Sequence, residues 1–519
     1  MTRGTSSLRT PGRHVAVITT ASLPWRTGTA VNPLLRAAYL AHILKDSKVS
    51  LLVPWLAKSE QGIVYPNGIT FENPEEQADW VRAWVEERTS FPCKFDIKFY
   101  PGRYDASFLS IFPVGDPTIY IPDEEADVAI LEEPEHLTWF HHGRRYTEKF
   151  NHVIGIMHTN YIDYIRRGAG SAGGPLAARI VKMANWRMCD IHTHKVIKLS
   201  DAVQNLPRQS THFVHGVSPA FLAVGDKMAA ALKGSAYCFS KGAYFIGKAV
   251  WGKGYTELLD LLLAHRKAHG SNLPVDAYGT GEDSDDIKER AERYELNVSF
   301  LGARDHLDDS IHPYRVFINP STSDVVATTS AEALAMGKWL VCPEHPSNDF
   351  FATFENTLIY HSPAEFSEQL EFAENNSPKP LKPEDRKRLT WCAHSFMRPD
   401  TENSMLADSI QVLALPSDHS KQSHGSLEIS CREDATERLL DVATIEEDEW
   451  PGWLTRLKDW LAWRIIYAGN GKSLDPTCTC ALSHCLLLFL FISSSVVRSY
   501  SRCIGLGAFL QHAISLASN

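Results

Sequence analysis

The stretch that decides the fold is NPSTSDVVATTSAEALAMGK, residues 319–338, which follows the apolar run VFI at 316–318. The apolar run is typical of a buried strand, and the small residues that follow the loop are typical of a helix ended by a glycine. The hydroxyl groups of Thr328, Thr329 and Ser330 are expected to cap that helix. A helix start of this kind leaves backbone N–H groups free and attracts an anion such as a diphosphate.

Two carboxylates flank this helix start. Asp324 lies in the loop and Glu332 lies in the helix, with seven residues between them. Both can accept hydrogen bonds from sugar hydroxyls beside a bound anion. An ordinary capped helix in an α/β domain explains the same pattern when it occurs alone.

The rest of the chain alternates strands with helices. The run HVAVITT at 14–20, a helical spacing at 32–44 and a strand at 49–53 predict a βαβ unit. Further strands are predicted at 95–100, 128–131, 152–157, 195–199, 212–214, 243–246, 275–278, 298–301, 316–318, 339–342 and 357–360. The alternation predicts two doubly wound, mainly parallel sheets with a cleft between them and ligands at the carboxyl ends of the strands.

The pattern restarts after 215–221, which places a domain boundary between about 216 and 240. The predicted segments are an acceptor-side domain at 14–225, a donor-binding domain at 236–391, a disordered insertion such as retained intron sequence at 392–431, C-terminal helices at 432–470 and an anomalous apolar tail at 471–519. The apolar run inside that tail, 481–497, is shorter than the ~20 residues of a membrane-spanning helix.

Composition narrows the functional class. The chain has 519 residues and a formal net charge of −10, which argues against general nucleic-acid binding. Residues 1–13 contain no apolar core, so neither a secretory signal nor a typical transit peptide is expected. Most of the ten cysteines are widely spaced, as in a protein with reduced thiols. Cys478, Cys480 and Cys485 lack the second paired half of a typical zinc site.

Taken together, the strand ends and the D-x7-E spacing resemble the E-x7-E element of retaining, two-Rossmann-domain glycosyltransferases (glycosyltransferase family 4). The segment is most similar to plant and algal digalactosyldiacylglycerol synthases, which move galactose from UDP-galactose to monogalactosyldiacylglycerol. The resemblance covers about 15–391 and continues to about 468. It implies a GT-B-like fold and catalytic roles for His158, Asp324 and Glu332. Asp324 stands where the broad superfamily usually has Glu, and it is shorter by one methylene.

The resemblance also implies a diphosphate clamp made by Lys248 and Lys253, in GKAVWGKG at 247–254. Two ammonium groups at a cleft edge would neutralise charge on departing UDP. Lys248 stands where many superfamily members have Arg, whose forked geometry differs. Without the resemblance, paired lysines in a loop are usually just solvated.

His158 follows the predicted strand at 152–157, and the matching family histidine contacts the transferred sugar. A lone histidine is otherwise more often structural. The resemblance implies that Glu332 binds the ribose hydroxyls of UDP. Thr328 and Thr329 at the helix start are expected to bind the donor.

Three glycines follow strand ends and are expected near the ligands. Gly28 lies between the first strand and the first helix, and Gly279 and Gly281 lie in YGTG at 278–281. Turn geometry alone explains each of them. The loop between the first strand and the first helix, where a dinucleotide-binding domain carries its G-x-G-x-x-G fingerprint, lacks it, which disfavours a nicotinamide oxidoreductase.

Two segments are candidates for contact with the lipid acceptor or with the membrane surface. EEPEH at 132–136 runs into WFHHGRR at 139–145, which either lines an acceptor site at the lipid surface or forms a partly buried amphipathic helix. The Trp- and Arg-rich segment 450–467 suits an interface with lipid.

By resemblance we therefore expect a galactosyltransferase with UDP-galactose as donor, monogalactosyldiacylglycerol as acceptor, no tightly bound cofactor and no need for a metal. The expected location is the cytosol-facing surface of the chloroplast outer envelope, as a peripheral membrane protein, with no nucleic-acid partner. The alternatives are a soluble glycosyltransferase with a sugar acceptor and a non-catalytic nucleotide-sugar-binding protein.

Overall fold

The structure is a computed structural model that describes residue 8, residues 10–89, 91–106, 110–139, 141, 143–163, 170–233 and 239–390, with side chains of the helix at 170–192 described from 178 onward. The predicted insertion at 392–431, the helices at 432–470 with their Trp- and Arg-rich segment, the tail at 471–519 and its cysteines all lie outside these residues.

The first sheet has eight strands in the order β4-β3-β2-β1-β5-β6-β7-β8, and all pairs are parallel except β3 with β4. Its strands are β1 His14–Ile18, β2 Lys48–Trp55, β3 Asp96–Asp105, β4 Ser110–Pro113, β5 Val128–Glu132, β6 His152–Met157, β7 Lys195–Lys198 and β8 Gln209–Thr211. Its helices are α1 Gly28–Ile43, α2 Lys58–Val64, α3 Pro74–Thr89, α4 Pro134–Thr138, α5 Tyr146–Lys149 and α6 Gly170–His192.

The second sheet has six parallel strands in the order β11-β10-β9-β12-β13-β14. Its strands are β9 Lys241–Ile246, β10 Val275–Tyr278, β11 Val298–Phe300, β12 Tyr314–Ile318, β13 Trp339–Pro343 and β14 Thr357–Tyr360. The helices of this part are α7 Pro219–Lys233, α8 Tyr255–His269, α9 Ser284–Arg293, α10 Thr328–Ala335, α11 Asp349–Ala352, α12 Pro363–Asn375 and α13 Pro383–Leu389. Both sheets belong to one compact unit.

Each sheet reverses its strand order once. In the first sheet β1 pairs with β2 on one side and β5 on the other, and in the second sheet β9 lies between β10 and β12. Such a reversal opens a crevice at the carboxyl ends of the two central strands, because the connections leave in opposite directions. The predicted pair of doubly wound, GT-B-like α/β sheets is confirmed.

Two sequence-based expectations about strands need correction. The strand expected at 212–214 lies three residues earlier, at Gln209–Thr211, where it pairs with β7. The apolar residues that suggested a strand pack elsewhere: the ring of Phe213 stacks on Phe350 of the second half, with centroids 4.0 Å apart. The antiparallel strand β4 was not predicted.

Helix α7 follows the first sheet in the chain and packs its buried face against the second sheet. Phe221 and Leu222 join the same apolar cluster as Tyr244 and Leu334. Gly225 lies so close to α10 that an added Cβ would come within 2.1 Å of the backbone oxygen of Ala335. The domain ranges given above stay a prediction.

We predict that Gly225→Ala destabilises the protein by about 1–3 kcal/mol, because the new methyl group would force α7 and α10 apart. Gly62→Ala is the matched control, since Gly62 also lies in a helix but has nothing within 4 Å of its Cβ position. That change should be neutral or stabilise by up to about 1 kcal/mol. Thermal unfolding of both variants measures the difference. Equal melting temperatures would contradict the close helix contact.

His192 gives a prediction about pH. Burial, and then the neighbouring His141 and Arg145, lower the pKa of His192 to about 3. Below pH ~6.5 the unfolded chain binds a proton at His192 that the folded chain does not bind. The free energy of unfolding therefore decreases as pH decreases. His192→Asn should remove this loss, about 1.4 kcal/mol per pH unit between roughly pH 5.5 and 4.

The control for this experiment is His361→Asn. Exposed His361 pairs with Glu344, and the hydrogen bond from that pairing raises the pKa of His361. Its contribution to stability is fully present below pH ~6.5 and is lost only as pH rises above that value, so between roughly pH 5.5 and 4 the control should keep the wild-type slope. Denaturant unfolding from pH 4 to 7 gives both slopes. A His192 variant with the wild-type slope would contradict the prediction.

Candidate active site

The predicted site residues lie after strands that flank the two crevices or in the helix that follows. In the first sheet, Gly28 begins α1 after β1, and His158 follows β6. In the second sheet, Lys248 and Lys253 follow β9, and Asp324 follows β12. Gly279 and Gly281 follow β10, and Thr328, Thr329 and Glu332 lie in α10.

Lys253 and Asp324 form an ion pair across the second crevice. The Lys253 Nζ lies 2.8 Å from Asp324 Oδ1, and their side chains are 38% and 17% exposed. The sequence motif on β9 and the motif on β12 are thus in direct contact. Lys248 instead pairs with Glu282 at 3.0 Å, and both of these side chains are about half exposed. Burial raises the pKa of Glu282, but the hydrogen bond from Lys248, a backbone hydrogen bond and the charge of Lys248 together outweigh it and leave the pKa below its ordinary value.

Gly279 and Gly281 are explained by close backbone packing. A Cβ on Gly279 would lie 1.8 Å from the backbone oxygen of Gly247, and one on Gly281 would lie 2.4 Å from that of Ala249. The two loops are joined by a bond in which the Ala249 N–H donates to the Thr280 oxygen, at 3.1 Å. These glycines hold the lysine loop against its neighbour, and their contact with a nucleotide stays a prediction. At Gly28 an added Cβ would make only an ordinary contact, 3.5 Å from Asn32.

The start of α10 differs from the expected capped helix. Its N-cap is Ala327, and no side chain caps it. The Ser330 hydroxyl, expected as a cap, accepts a hydrogen bond from the Asn319 amide at 3.1 Å. The half-buried Thr328 and Thr329 occupy the first two helical positions. The end of the helix is as expected, with Gly337 at φ 74° just beyond it.

Glu332 is held by a residue that sequence reasoning missed. His306 Nδ1 lies 2.6 Å from Glu332 Oε2, and the other ring nitrogen, Nε2, lies 2.7 Å from the buried hydroxyl of Tyr244. His306 itself is 7% exposed. Its loop carries no motif, and only its position after β11 could have drawn attention to it.

His158 is held by an ion pair that was also missed. Its Nε2 bonds Glu132 Oε2, the last residue of β5, while Arg36 Nε donates to Glu132 Oε1 at 2.5 Å. The side chains of Arg36 and Glu132 are both 0% exposed. Burial raises the pKa of Glu132, but the charge of Arg36 and the bond with His158 outweigh it and leave the pKa below its ordinary value. An arginine inside the apolar pattern of α1 was the available signal, since a buried cation needs an anion.

The loop before α10 is anchored in the other half of the molecule. Val325, 2% exposed, belongs to the apolar cluster of the first sheet together with Leu199 and Val214. Its backbone oxygen accepts a hydrogen bond from Ser200. The loop that carries Asp324 is therefore held by contacts from both halves.

The candidate acceptor segment 132–136 forms the end of β5 and the start of α4. All five residues of α4 are buried. Glu133 adopts a left-handed conformation with φ 66°, and it accepts hydrogen bonds from Thr20, at 3.3 Å, and Thr159. Burial raises the pKa of Glu133, yet the bond with His136 leads the opposing contacts that bring it below its ordinary value. The segment is therefore buried beside the first crevice, and its contact with an acceptor stays a prediction.

The described ranges contain neither a candidate metal cluster nor a candidate membrane-spanning helix. No group of three or more His, Cys, Asp or Glu side chains there could hold a metal ion. Among the same residues, no helix is long and apolar enough to cross a membrane.

Comparison with known proteins identifies relatives. Residues 240–390 match the family Glycosyl transferases group 1. Digalactosyldiacylglycerol synthase 1, chloroplastic, of Glycine max is 53% identical over 379 residues, covering 73% of this chain and 48% of that protein. The chain thus spans about half the length of that relative. Among solved structures, a glycosyltransferase from Rickettsia africae covers 78% of this chain and 98% of its own, at 10% identity and a TM-score of 0.44.

A shorter relative is covered more completely. Digalactosyldiacylglycerol synthase 2, chloroplastic, of Arabidopsis thaliana is 51% identical over 379 residues, which cover 73% of this chain and 79% of that protein. With half of the aligned residues identical across most of a relative, the chain belongs to the digalactosyldiacylglycerol synthase family.

Proposed function

We propose that this protein is a galactosyltransferase that moves galactose from UDP-galactose to monogalactosyldiacylglycerol, with retention of anomeric configuration. The observation that carries the proposal is the identity of 53% over 379 residues with a digalactosyldiacylglycerol synthase. The aligned length equals 73% of this chain.

The donor diphosphate would bind at the crevice of the second sheet. Lys248, Lys253 and the N-terminus of α10 supply positive charge there, so a divalent ion is not needed. Lys253 is paired with Asp324 at 2.8 Å, and a diphosphate would compete for the same ammonium group. Asp324 would then be released to accept a hydrogen bond from the donor sugar. Gly28, Gly279, Gly281, Thr328 and Thr329 would line the same ligand.

Glu332 would bind the ribose of UDP. One of its oxygens, Oε2, is held by His306, which leaves Oε1 to face the ribose hydroxyls. A carboxylate whose orientation is fixed in advance loses less entropy when the ligand binds.

His158 would position the transferred sugar. Its ring is anchored by Glu132 at the end of β5, and its side chain is 5% exposed. We assign no proton abstraction to it: in a front-face displacement the departing phosphate assists the incoming acceptor hydroxyl, and the protein orients the two substrates.

The acceptor would enter at the first sheet from a membrane surface. Two relatives carry the word chloroplastic in their names. We propose peripheral attachment to the chloroplast outer envelope, facing the cytosol. The domain ranges 14–225 and 236–391 would then correspond to the acceptor and donor sides.

Glu332→Gln and Lys253→Ala should each lower galactose transfer by about 100-fold or more, because each removes a charged contact to the donor. The measurement is transfer of radiolabel from UDP-galactose into vesicles containing monogalactosyldiacylglycerol. Lys288→Ala is the control, since Lys288 forms only an exposed pair with Asp285 at 3.4 Å. Turnover close to wild type in both site variants would count strongly against this site. Binding of UDP-galactose by the wild type with no turnover would favour a non-catalytic binding protein.

A second experiment tests the acceptor. The wild-type protein should sediment with galactolipid vesicles and should not transfer galactose to free galactose or glucose at a comparable rate. The digalactolipid product should appear only when the vesicles contain monogalactosyldiacylglycerol. A protein that stays in the supernatant and uses a free sugar would support the soluble glycosyltransferase instead.

A further inference from the structure

Four polar side chains form a buried network beneath the first crevice. Arg36 donates to Glu132 at 2.5 Å, to the backbone oxygen of Val214 at 3.0 Å and lies 3.3 Å from His215 Nδ1. His158 completes the network by its bond to the second oxygen of Glu132, and its ring stacks on that of His215 with centroids 5.1 Å apart. The network joins α1, β5, the end of β6 and the connection that leads out of the first sheet.

The charges of this network balance without His158. Arg36 and Glu132 form a complete ion pair with both side chains 0% exposed. Glu133 is a further carboxylate whose charge reaches His158, but it already pairs with His136 at 3.4 Å and accepts a hydrogen bond from Thr159. A second cation on His158, whose side chain is 5% exposed, would therefore be costly to bury. Burial, together with the charge of the adjacent Arg36, holds the pKa of His215 well below the ordinary value, so this ring adds no charge to the network.

The hydrogen on the His158 ring follows from its partner. Glu132 is ionised in this environment, and a carboxylate only accepts hydrogen bonds. The ring nitrogen that meets it, Nε2, must therefore carry the hydrogen. In a neutral imidazole the other nitrogen, Nδ1, is then a bare acceptor. Within the described residues no hydrogen-bond partner contacts Nδ1.

We propose that Arg36 and Glu132 are positioning residues that hold His158 as the neutral tautomer with its hydrogen on Nε2, so that Nδ1 accepts a hydrogen bond from a hydroxyl of the transferred sugar. This inference rests on the proposed function, because it needs a sugar at the first crevice. An acceptor nitrogen attracts a hydroxyl hydrogen and repels a phosphate oxygen. The network therefore places the sugar, and not the diphosphate, beside His158.

The first test is made on the wild-type protein. Nitrogen-15 NMR of the full-length protein with labelled histidine shows which ring nitrogens carry hydrogen, and the His158 signals are assigned by their loss in His158→Asn. The expected result is hydrogen on Nε2 alone at pH 7.5. Hydrogen on Nδ1, or on both nitrogens, would overturn the proposal.

Glu132→Gln tests the positioning role. The glutamine oxygen should turn towards Arg36, where the hydrogen bond is charge-assisted, and its NH2 group should then donate to His158 Nε2. The hydrogen of His158 would move to Nδ1. We expect kcat to fall by about ten- to a hundredfold, as for loss of an outer partner that orients a histidine, with KM for UDP-galactose within about twofold of wild type. Equal kcat for wild type and variant would overturn the proposal.

The matched control is Glu344→Gln. Glu344 bonds a histidine on the surface, His361, at 2.8 Å and lies outside the network. Transfer by this variant should equal wild type. If Glu132→Gln fails to fold, the wild-type spectrum still decides the tautomer.

The affinity for fluorinated donors separates orientation of His158 by Glu132 from a purely structural role of Glu132. Fluorine in place of a sugar hydroxyl can accept but cannot donate a hydrogen bond. Wild-type protein should bind either UDP-4-deoxy-4-fluorogalactose or the 6-fluoro analogue about tenfold more weakly than UDP-galactose, and Glu132→Gln should restore binding of that analogue. Equal discrimination by both proteins would overturn the proposal. The Nε2 tautomer together with selective fluorine rejection, but with no digalactolipid formed, would support it while counting against the proposed acceptor.

Discussion

The reversal of strand order in each parallel sheet is the constraint on which the rest of this structure depends. It occurs between β1 and β5 in the first sheet and between β9 and β12 in the second. Parallel strands deliver their carboxyl ends to one edge, and the reversal leaves that edge uncovered at one point. Residues far apart in the chain, such as Lys253 and Asp324, come into contact because their strands are neighbours there.

The charged groups at the two crevices differ in what they can do. The Lys253–Asp324 pair is partly exposed, so it contributes little to stability and can be exchanged for a ligand at low cost. The Arg36–Glu132 pair is fully buried, and removing either partner would cost about 3–5 kcal/mol. The first pair therefore suits ligand exchange, whereas the second suits permanent orientation of His158.

Local patterns in the sequence were enough to predict the two sheets and the residues after their strands. Most of the apolar runs in the described part of the chain mark buried strands. The run at 212–214 was misleading because the same apolar character also serves packing between the halves, as Phe213 does against Phe350. The short strand β4 has only four residues and an irregular pattern, SIFP.

The partners that hold the candidate site residues were harder to predict than the positions of those residues after the strands. His306 lies 26 positions from Glu332, and Arg36 lies 96 positions from Glu132. No local spacing connects such partners, and the connection appears only when the strand order is known. The prediction that Ser330 helps to cap α10 was wrong for a related reason. Its hydroxyl accepts a hydrogen bond from Asn319, which follows β12.

Val325 has a consequence for the independence of the two halves. The loop that carries Asp324 belongs by sequence to the second sheet, but this valine is buried in the apolar cluster of the first. A chimera that joined the second half of one relative to the first half of another would have to preserve the packing of this valine against the apolar cluster of the first sheet. The two halves are therefore expected to evolve as a unit at this loop, even where their ligands differ.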